Sequence, residues 1–276
     1  MNKLILVTCL LCSAISFANQ SRENEFSEVK TCFQGVHFQN NWMAIGTSYK
    51  DILIQNSDLS FSKKLNFDLP VQDFYLYKNS LFVLINNKIE IFNLEEKTFE
   101  IPIFINTQIP NYAKSLFLID DKIYISLMRE GAQIFSLASR EKVASIQAKG
   151  HVDNIYIHNS TGYIYASNAG IIGGQILSAV YLFDPSTNKI THKTLISGAP
   201  GNGIFVDNKN VFLGKQFFWQ VRKKKVHKKK FISRYKSVFI PRPYAKGRAY
   251  RDNKNLYYCD QVDHKPHIKL RSSIER

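Results

Sequence analysis

The chain has 276 residues, 45% of them hydrophobic and 13% aromatic, enough for a packed core and too apolar for a globally disordered chain. Its 37 Lys and Arg against 22 Asp and Glu give a net charge of +15, but residues 215–276 carry 19 basic and 4 acidic side chains while the first 214 carry 18 of each. The basic character therefore belongs to the C-terminal third and not to the chain as a whole.

At the N-terminus, Lys3, the apolar run Leu4 to Ala14 and then Ser16-Phe17-Ala18 supply the charged, apolar and small-residue parts of a secretory signal peptide. The run is too short to cross a bilayer. Thr8 and Leu11 precede Cys9 and Cys12, where a lipoprotein signal prefers a small residue, so lipid attachment is disfavoured. The expectation is a leader over residues 1–18 and one exported domain over 19–276, periplasmic or secreted, with an uncleaved N-terminal anchor as the alternative. Cleavage removes Cys9 and Cys12 and leaves Cys32 and Cys259, which allow one pairing. Such a bridge would close a loop of 227 residues, and the chain-entropy model assigns it roughly 5 kcal/mol. Two buried free thiols are the other reading.

From residue 40 onward one pattern recurs: an apolar strand, a polar turn, then a strand opening on apolar and aromatic residues. The second strands begin at Trp42, Leu81, Ile123, Tyr163, Val211 and Leu256, spaced by 39, 42, 40, 48 and 45 residues. Each follows turn chemistry: Asn40-Asn41, Lys78-Asn79, Asp120-Asp121, Asn159-Ser160, Asp207-Asn208 and Asp252-Asn253. Asn and Asp tolerate the positive φ of tight hairpins. Third strands follow at Ile89 to Phe92, Ala132 to Phe135 and Val180 to Phe183, the last leading into the turn Asp184-Pro185-Ser186-Thr187-Asn188-Lys189. Four antiparallel strands per unit of roughly 40 to 45 residues are the signature of a β-propeller blade. The predicted fold is all-β, a six-bladed β-propeller of four-stranded antiparallel blades, since 258 residues beyond the leader allow 43 per blade.

The repeats resemble bacterial YVTN- and NHL-type β-propeller repeats, most clearly over Ala179 to Lys189 and Gly201 to Gly214. The resemblance implies a scaffold that hosts enzymes, receptors and assembly platforms alike. Its enzymatic relatives would be the metal-dependent gluconolactonase and regucalcin group, whose binding acids have no residue-by-residue match here.

The last unit runs out of chain, with only Ser272 to Arg276 left for a fourth strand. An open edge exposes unpaired backbone groups, so the mature N-terminal segment Phe26 to Phe33 is expected to supply that outer strand and close the ring. Blade topology then gathers the longer loops, Ser167 to Leu177, Ser197 to Gly203, Phe239 to Gly247 and Asp260 to Pro266, on one face. Longer loops commonly carry function, so a protein or glycan partner is expected there. Gly170, Gly173 and Gly174 read as making the first of these loops mobile.

Aligning the repeats puts Gln34, Asp73, Ser115, Asn154, Gly203 and Arg248 at the starts of the innermost strands, with Asp153 and Asn202 one step out. Gln34, Asp73, Asp153, Asn154, Asn202 and Arg248 are the candidate ligand-binding groups of the channel mouth. The alternative is that they solvate the channel or cap turns. Asp260, Asp263, His264 and His267 form a D-x-x-D-H-x-x-H cluster, a weak metal candidate beside a plain polar loop. The run Arg222, Lys223, Lys224, Lys225, Val226, His227, Lys228, Lys229, Lys230 falls in the third-to-fourth-strand hairpin of blade five. Seven positive charges in nine residues attract phosphate-bearing surfaces. An anionic membrane or glycan surface, a solvated edge-protecting hairpin and, less in keeping with export, nucleic acid are the three readings. The expected function is an exported, monomeric, non-enzymatic platform at the cell envelope, with no cofactor. The alternative is a lactonase-like hydrolase or lyase at the channel mouth using Asp73, Asp153 and Asn154, with calcium as its possible metal.

Overall fold

The computed structural model describes Cys32, residues 35–197 except 57, 59 and 107–112, and the backbone of the strands between 201 and 270. Every regular element among these is a β-strand. The first sheet orders β1 (Val36–Gln39), β2 (Trp42–Gly46), β3 (Asp51–Asn56) and β4 (Ser62–Asn66) in sequence. The second holds β5 (Val71–Tyr77), β6 (Ser80–Ile85), β7 (Lys88–Asn93), β8 (Thr98–Phe99) and β9 (Ile103–Phe104), with β8 and β9 both paired to β7. Pro102 lies between these two short strands; it has no N–H to give the ladder, so one outer strand is broken into two.

The third sheet is β10 (Ala113–Ile119), β11 (Lys122–Leu127), β12 (Gly131–Ser136) and β13 (Lys142–Ile146), and the fourth is β14 (His151–His158), β15 (Thr161–Ile172), β16 (Gln175–Asp184) and β17 (Lys189–Ser197). Next come β18 (Gly201–Val206), β19 (Asn210–Lys215), β20 (Trp219–Lys223), β21 (Lys225–His227), β22 (Lys230–Ile232) and β23 (Tyr235–Ser237). There β18, β19, β20 and β23 form a sheet, and β21 with β22 forms a separate hairpin. The final sheet is β24 (Tyr250–Arg251), β25 (Asn255–Cys259) and β26 (Pro266–Leu270). All pairings are antiparallel. The expected outer strand Phe26 to Phe33 lies outside the described residues, apart from Cys32.

The turn chemistry acts as anticipated. Asn40, Lys78, Asp120, Asp121, Asn159 and Ser160 all take positive φ, the geometry that matches a hairpin turn to the right-handed twist of its strands. The turn after Phe183 is closed by Asp184, whose carbonyl accepts the Asn188 N–H at 2.7 Å and whose carboxylate accepts the N–H and hydroxyl of Ser186.

Among the described residues, three large apolar clusters each draw on two neighbouring sheets. One apolar cluster joins the first sheet to the second through Ile52, Ile54, Leu76 and Val83, another the second to the third through Leu84, Ile91, Leu116 and Ile125, and another the third to the fourth through Phe117, Ile134, Ile155 and Phe183. Middle strands are therefore covered on both faces and read as continuous apolar runs, as in Leu81-Phe82-Val83-Leu84-Ile85, whereas the outer strand β4 buries one residue in five. The innermost strands β1, β5, β10, β14 and β18 lie side by side in that order, and β1 also lies beside β24 and β25. Packed sheets in this arrangement leave no room for an added atom at Gly162, which pairs with Phe183. A Cβ there would come within 2.1 Å of the Phe183 ring, and that ring is fully buried. Gly162→Ala should lower the unfolding free energy by roughly 1–3 kcal/mol, measured by urea denaturation; an unchanged midpoint would show that the ring can move aside.

Candidate functional site

Four consecutive innermost strands carry the same defect at the same place. The pairing shifts between Val71 and Asp73, Ala113 and Ser115, Val152 and Asn154, and Gly201 and Gly203. A β-bulge leaves its extra residue outside the ladder, here Gln72, Lys114, Asp153 and Asn202. Gln72, Lys114 and Asp153 are half-buried, while Asp73, Ser115 and Asn154, one residue on, are buried.

The candidate residues of the channel mouth thus fall into two groups. Asp153 and Asn202 are bulge residues. Asp73 is committed to the framework: its Oδ1 accepts the Phe74 N–H and its Oδ2 the Leu116 N–H of the neighbouring sheet, both at 2.9 Å. Ser115 shares a hydroxyl contact of 2.8 Å with Ser126, and Asn154 is buried beside the bulge. Gln34 and Arg248 lie outside the described residues. Register shows that His37, opposite Ala44, is the counterpart of Tyr75, opposite Phe82, so Gly35 and not Gln34 corresponds to Asp73. The positions that sequence alignment missed are Gln72 and Lys114, because the bulge moves the outward residue back by one.

Behind the bulges runs a line of rings that the sequence reading did not single out. His37 stacks on Tyr75 at 4.1 Å, Tyr75 meets Phe117 at 5.3 Å, and Phe117 meets Tyr156 at 4.9 Å. Each ring comes from a different innermost strand, so the line ties four sheets together near the axis. The signal was present in the strands themselves, since Tyr75, Phe117 and Tyr156 occupy equivalent registers opposite Phe82, Tyr124 and Tyr163.

Burial acts on the proton affinity of one of these bulge residues, Asp153, and raises it. Burial lifts its carboxyl above the ordinary 3.8; hydrogen bonding from Ser167 and the charges of His151 and Lys114 oppose that shift without cancelling it. The Ser167 N–H reaches its Oδ2 at 3.1 Å.

The segment Ser167 to Leu177, expected as a mobile loop, is instead a continuation of β15 and β16. Gly170 pairs with Leu177, Ile171 with Ile176, and Ile172 with Gln175. Gly173 and Gly174 have φ of 57° and 77°, the two-residue turn that a tight hairpin demands. Glycines read as breakers in the sequence are here the turn itself. At the opposite end of the strands, a cleft of about 600 Å³ is lined in part by Tyr124, Asn159 and Asp184. Burial, with help from the Asp120 charge, pushes the Tyr124 hydroxyl up to about 12, and Asp184 is occupied in capping its own turn.

The basic run divides among three strands, two of which form a hairpin of their own. Arg222 and Lys223 end β20, Lys225 begins β21 and Lys230 begins β22, while Lys224, Lys228 and Lys229 lie outside the described residues. Of the metal candidates, Asp260, Asp263 and His264 lie outside them, and His267 sits on β26 opposite Tyr258 and not on a loop. Among the described residues no three His, Cys, Asp or Glu group together.

Because the folded state holds the Asp153 proton more tightly than the unfolded chain does, stability should fall as pH rises from about 3.8 through the raised folded value. Asp153→Asn should remove that fall. Urea melts of both proteins between about pH 3.5 and pH 7 should therefore converge at the acid end and favour the variant at neutral pH; parallel curves would contradict a raised Asp153.

No family model and no curated protein sequence matches the chain. Among solved structures, Kuenenia stuttgartiensis hydrazine synthase superposes with a TM-score of 0.63 at 13% identity, over 87% of this chain and 78% of that one. U3-55K and the RRP9 WD40 repeats each give a TM-score of 0.60 at 12% identity, over 82% of this chain and 72% of theirs. At such identity the likeness concerns fold alone, and with the sheets described above it makes this chain a β-propeller repeat protein.

Proposed function

We propose that the protein is an exported, non-enzymatic six-bladed propeller serving as a binding or assembly platform at the cell envelope, held to an anionic surface by its basic hairpin. The observation that carries this reading is the strand register of the basic run. Lys225 stands opposite Ile232, Val226 opposite Phe231 and His227 opposite Lys230, in a ribbon of two strands set between β20 and β23. A two-stranded ribbon is too small to hold a core of its own, and a run of like charges along it creates a field that attracts an anionic surface. Near an anionic membrane each Lys or Arg contributes about 1 kcal/mol. The hydrolase reading draws less support, since both oxygens of Asp73 are engaged by backbone N–H groups.

Ring closure belongs to the same proposal. It is supported by six second strands at blade spacing and by β1 lying beside β24 and β25. Cys32, which is fully buried, is disulfide-bonded. Cys259 ends β25 and is its proposed partner, clasping the first segment of the domain to the last sheet.

Two outcomes follow. Cosedimentation with anionic vesicles should have a part that falls steeply with ionic strength, because screening acts over roughly 8 Å at physiological salt, and that part should disappear when Lys223, Lys224, Lys225, Lys228, Lys229 and Lys230 are changed to Ser; wholly salt-independent binding would exclude the electrostatic hold. A non-reducing peptide map should recover one joined peptide pair carrying Cys32 and Cys259, and reduction should destabilise the domain by up to about 5 kcal/mol. Recovery of Cys259 as a free thiol would refute the clasp.

A further inference from the structure

The β15–β16 hairpin is unusual in both chemistry and shape. From Thr161 to Phe183 it contains no Asp, Glu, Lys, Arg or His. Among the described residues β17 accompanies it only as far as the pair Leu177 and Ser197, so residues 171–176 form a two-stranded ribbon beyond it. On that ribbon Ile171, Ile172 and Ile176 are 73, 61 and 61% exposed. Ile171 and Ile176 face each other across the strands and share one side; Ile172, one residue along, stands on the other. The Gly173-Gly174 turn closes the ribbon at positive φ, with nothing described within 4 Å of either glycine's Cβ position.

A partner seated on one face would cover Ile171 and Ile176 and leave Ile172, beside exposed Gln175, in water. Water-exclusion on both sides requires a medium that surrounds the tip. The charges at its root say which medium. Lys193 donates to the Ala169 carbonyl at 3.2 Å and lies 5.3 Å from the centre of the Tyr181 ring, and exposed Lys149 is fixed beside β16 where its carbonyl accepts the Tyr181 hydroxyl at 2.8 Å. A neutral apolar tip above two ammonium groups complements an anionic bilayer, with acyl chains above and phosphates at the collar. Three strand residues reach about 10 Å, the depth of the headgroup–acyl boundary. Deeper entry is opposed by the outward-facing backbone groups of the ribbon, which hydrocarbon leaves unpaired.

We propose that the β15–β16 tip is a membrane-interfacial wedge, in which Ile171, Ile172 and Ile176 enter the outer part of an anionic phospholipid leaflet while Lys149 and Lys193 meet its phosphates. This goes beyond the basic-hairpin hold and is independent of it. A second-to-third-strand turn and a third-to-fourth-strand turn leave opposite ends of a sheet, so one bilayer engages one device or the other.

The test uses the full chain and vesicles of phosphatidylglycerol with phosphatidylcholine, at about 0.15 M and about 0.5 M salt. Compared are the wild type, the triple variant Ile171→Ser, Ile172→Ser, Ile176→Ser, the six-lysine variant, and Ile172→Trp as a reporter. At about 0.5 M salt, where the basic hairpin is screened, the triple variant should bind about tenfold more weakly or worse, with an unchanged thermal midpoint because the tip lies outside the core. The tryptophan placed at position 172 should shift its emission to the blue on vesicles and be quenched by lipids brominated near the headgroup. Wild-type binding by the triple variant, or water-like emission at saturating lipid, overturns the wedge. Loss in the six-lysine variant alone overturns the wedge and leaves the basic hairpin; loss in the triple variant alone leaves the wedge and overturns the hairpin. Self-association that the triple variant abolishes, without vesicle binding by the wild type, would assign the tip to a second copy of this chain and overturn the lipid occupant.

Discussion

Everything in this molecule depends on face-to-face packing between consecutive sheets. A single four-stranded sheet here has two apolar faces and no interior, so each is stable only when flanked, and the clusters around Leu76, Leu116 and Ile155 each draw on two sheets. Repeat architectures share this property: a unit that cannot bury its own surface must be covered by its neighbours. Burial consequently grades from the middle strands, covered on both sides, to outer strands such as β4 and β13, which meet water.

By that constraint the first and last sheets each need cover from a further neighbour. The final sheet has three strands among the described residues, and the disulfide at Cys32 lies in the segment just before β1. With Cys259 as its proposed partner, the link would limit the separation of the array's ends in the unfolded chain, a restraint suited to a fold whose sheets rely on neighbours. The ring line His37, Tyr75, Phe117 and Tyr156 acts locally, tying successive sheets near the axis where the strands are most crowded.

The functional features arise where the repeat is broken. Bulges recur on four inner strands and free Gln72, Lys114, Asp153 and Asn202 from the ladder. The fourth sheet adds residues to its central hairpin, and the next inserts β21 and β22 between its third and fourth strands. Both insertions sit at turns, where extra length leaves the packed faces undisturbed. Their chemistries are opposite, one uncharged and rich in isoleucine, the other dense in lysine.

The strands and turns were legible in the sequence because they are local. Each second strand starts where the apolar and aromatic residues begin, and Asn40, Asp120 and Asn159 announce the positive φ that their hairpins require. Side-chain roles depended on register, which is not local. Asp73 reads as a polar group at a channel mouth, yet a one-residue bulge turns it inward to the Leu116 N–H of another sheet. Gly173 and Gly174 read as a mobile loop, since glycine signals freedom in the absence of a partner strand; only pairing between Ile171 and Ile176 makes them a fixed turn. The amino-acid order determined which segments are strands and where they reverse, through dihedral preference and apolar pattern. The tertiary structure alone decided which side of each strand meets another sheet and which meets solvent, because that choice is made by contacts more than forty residues apart in sequence.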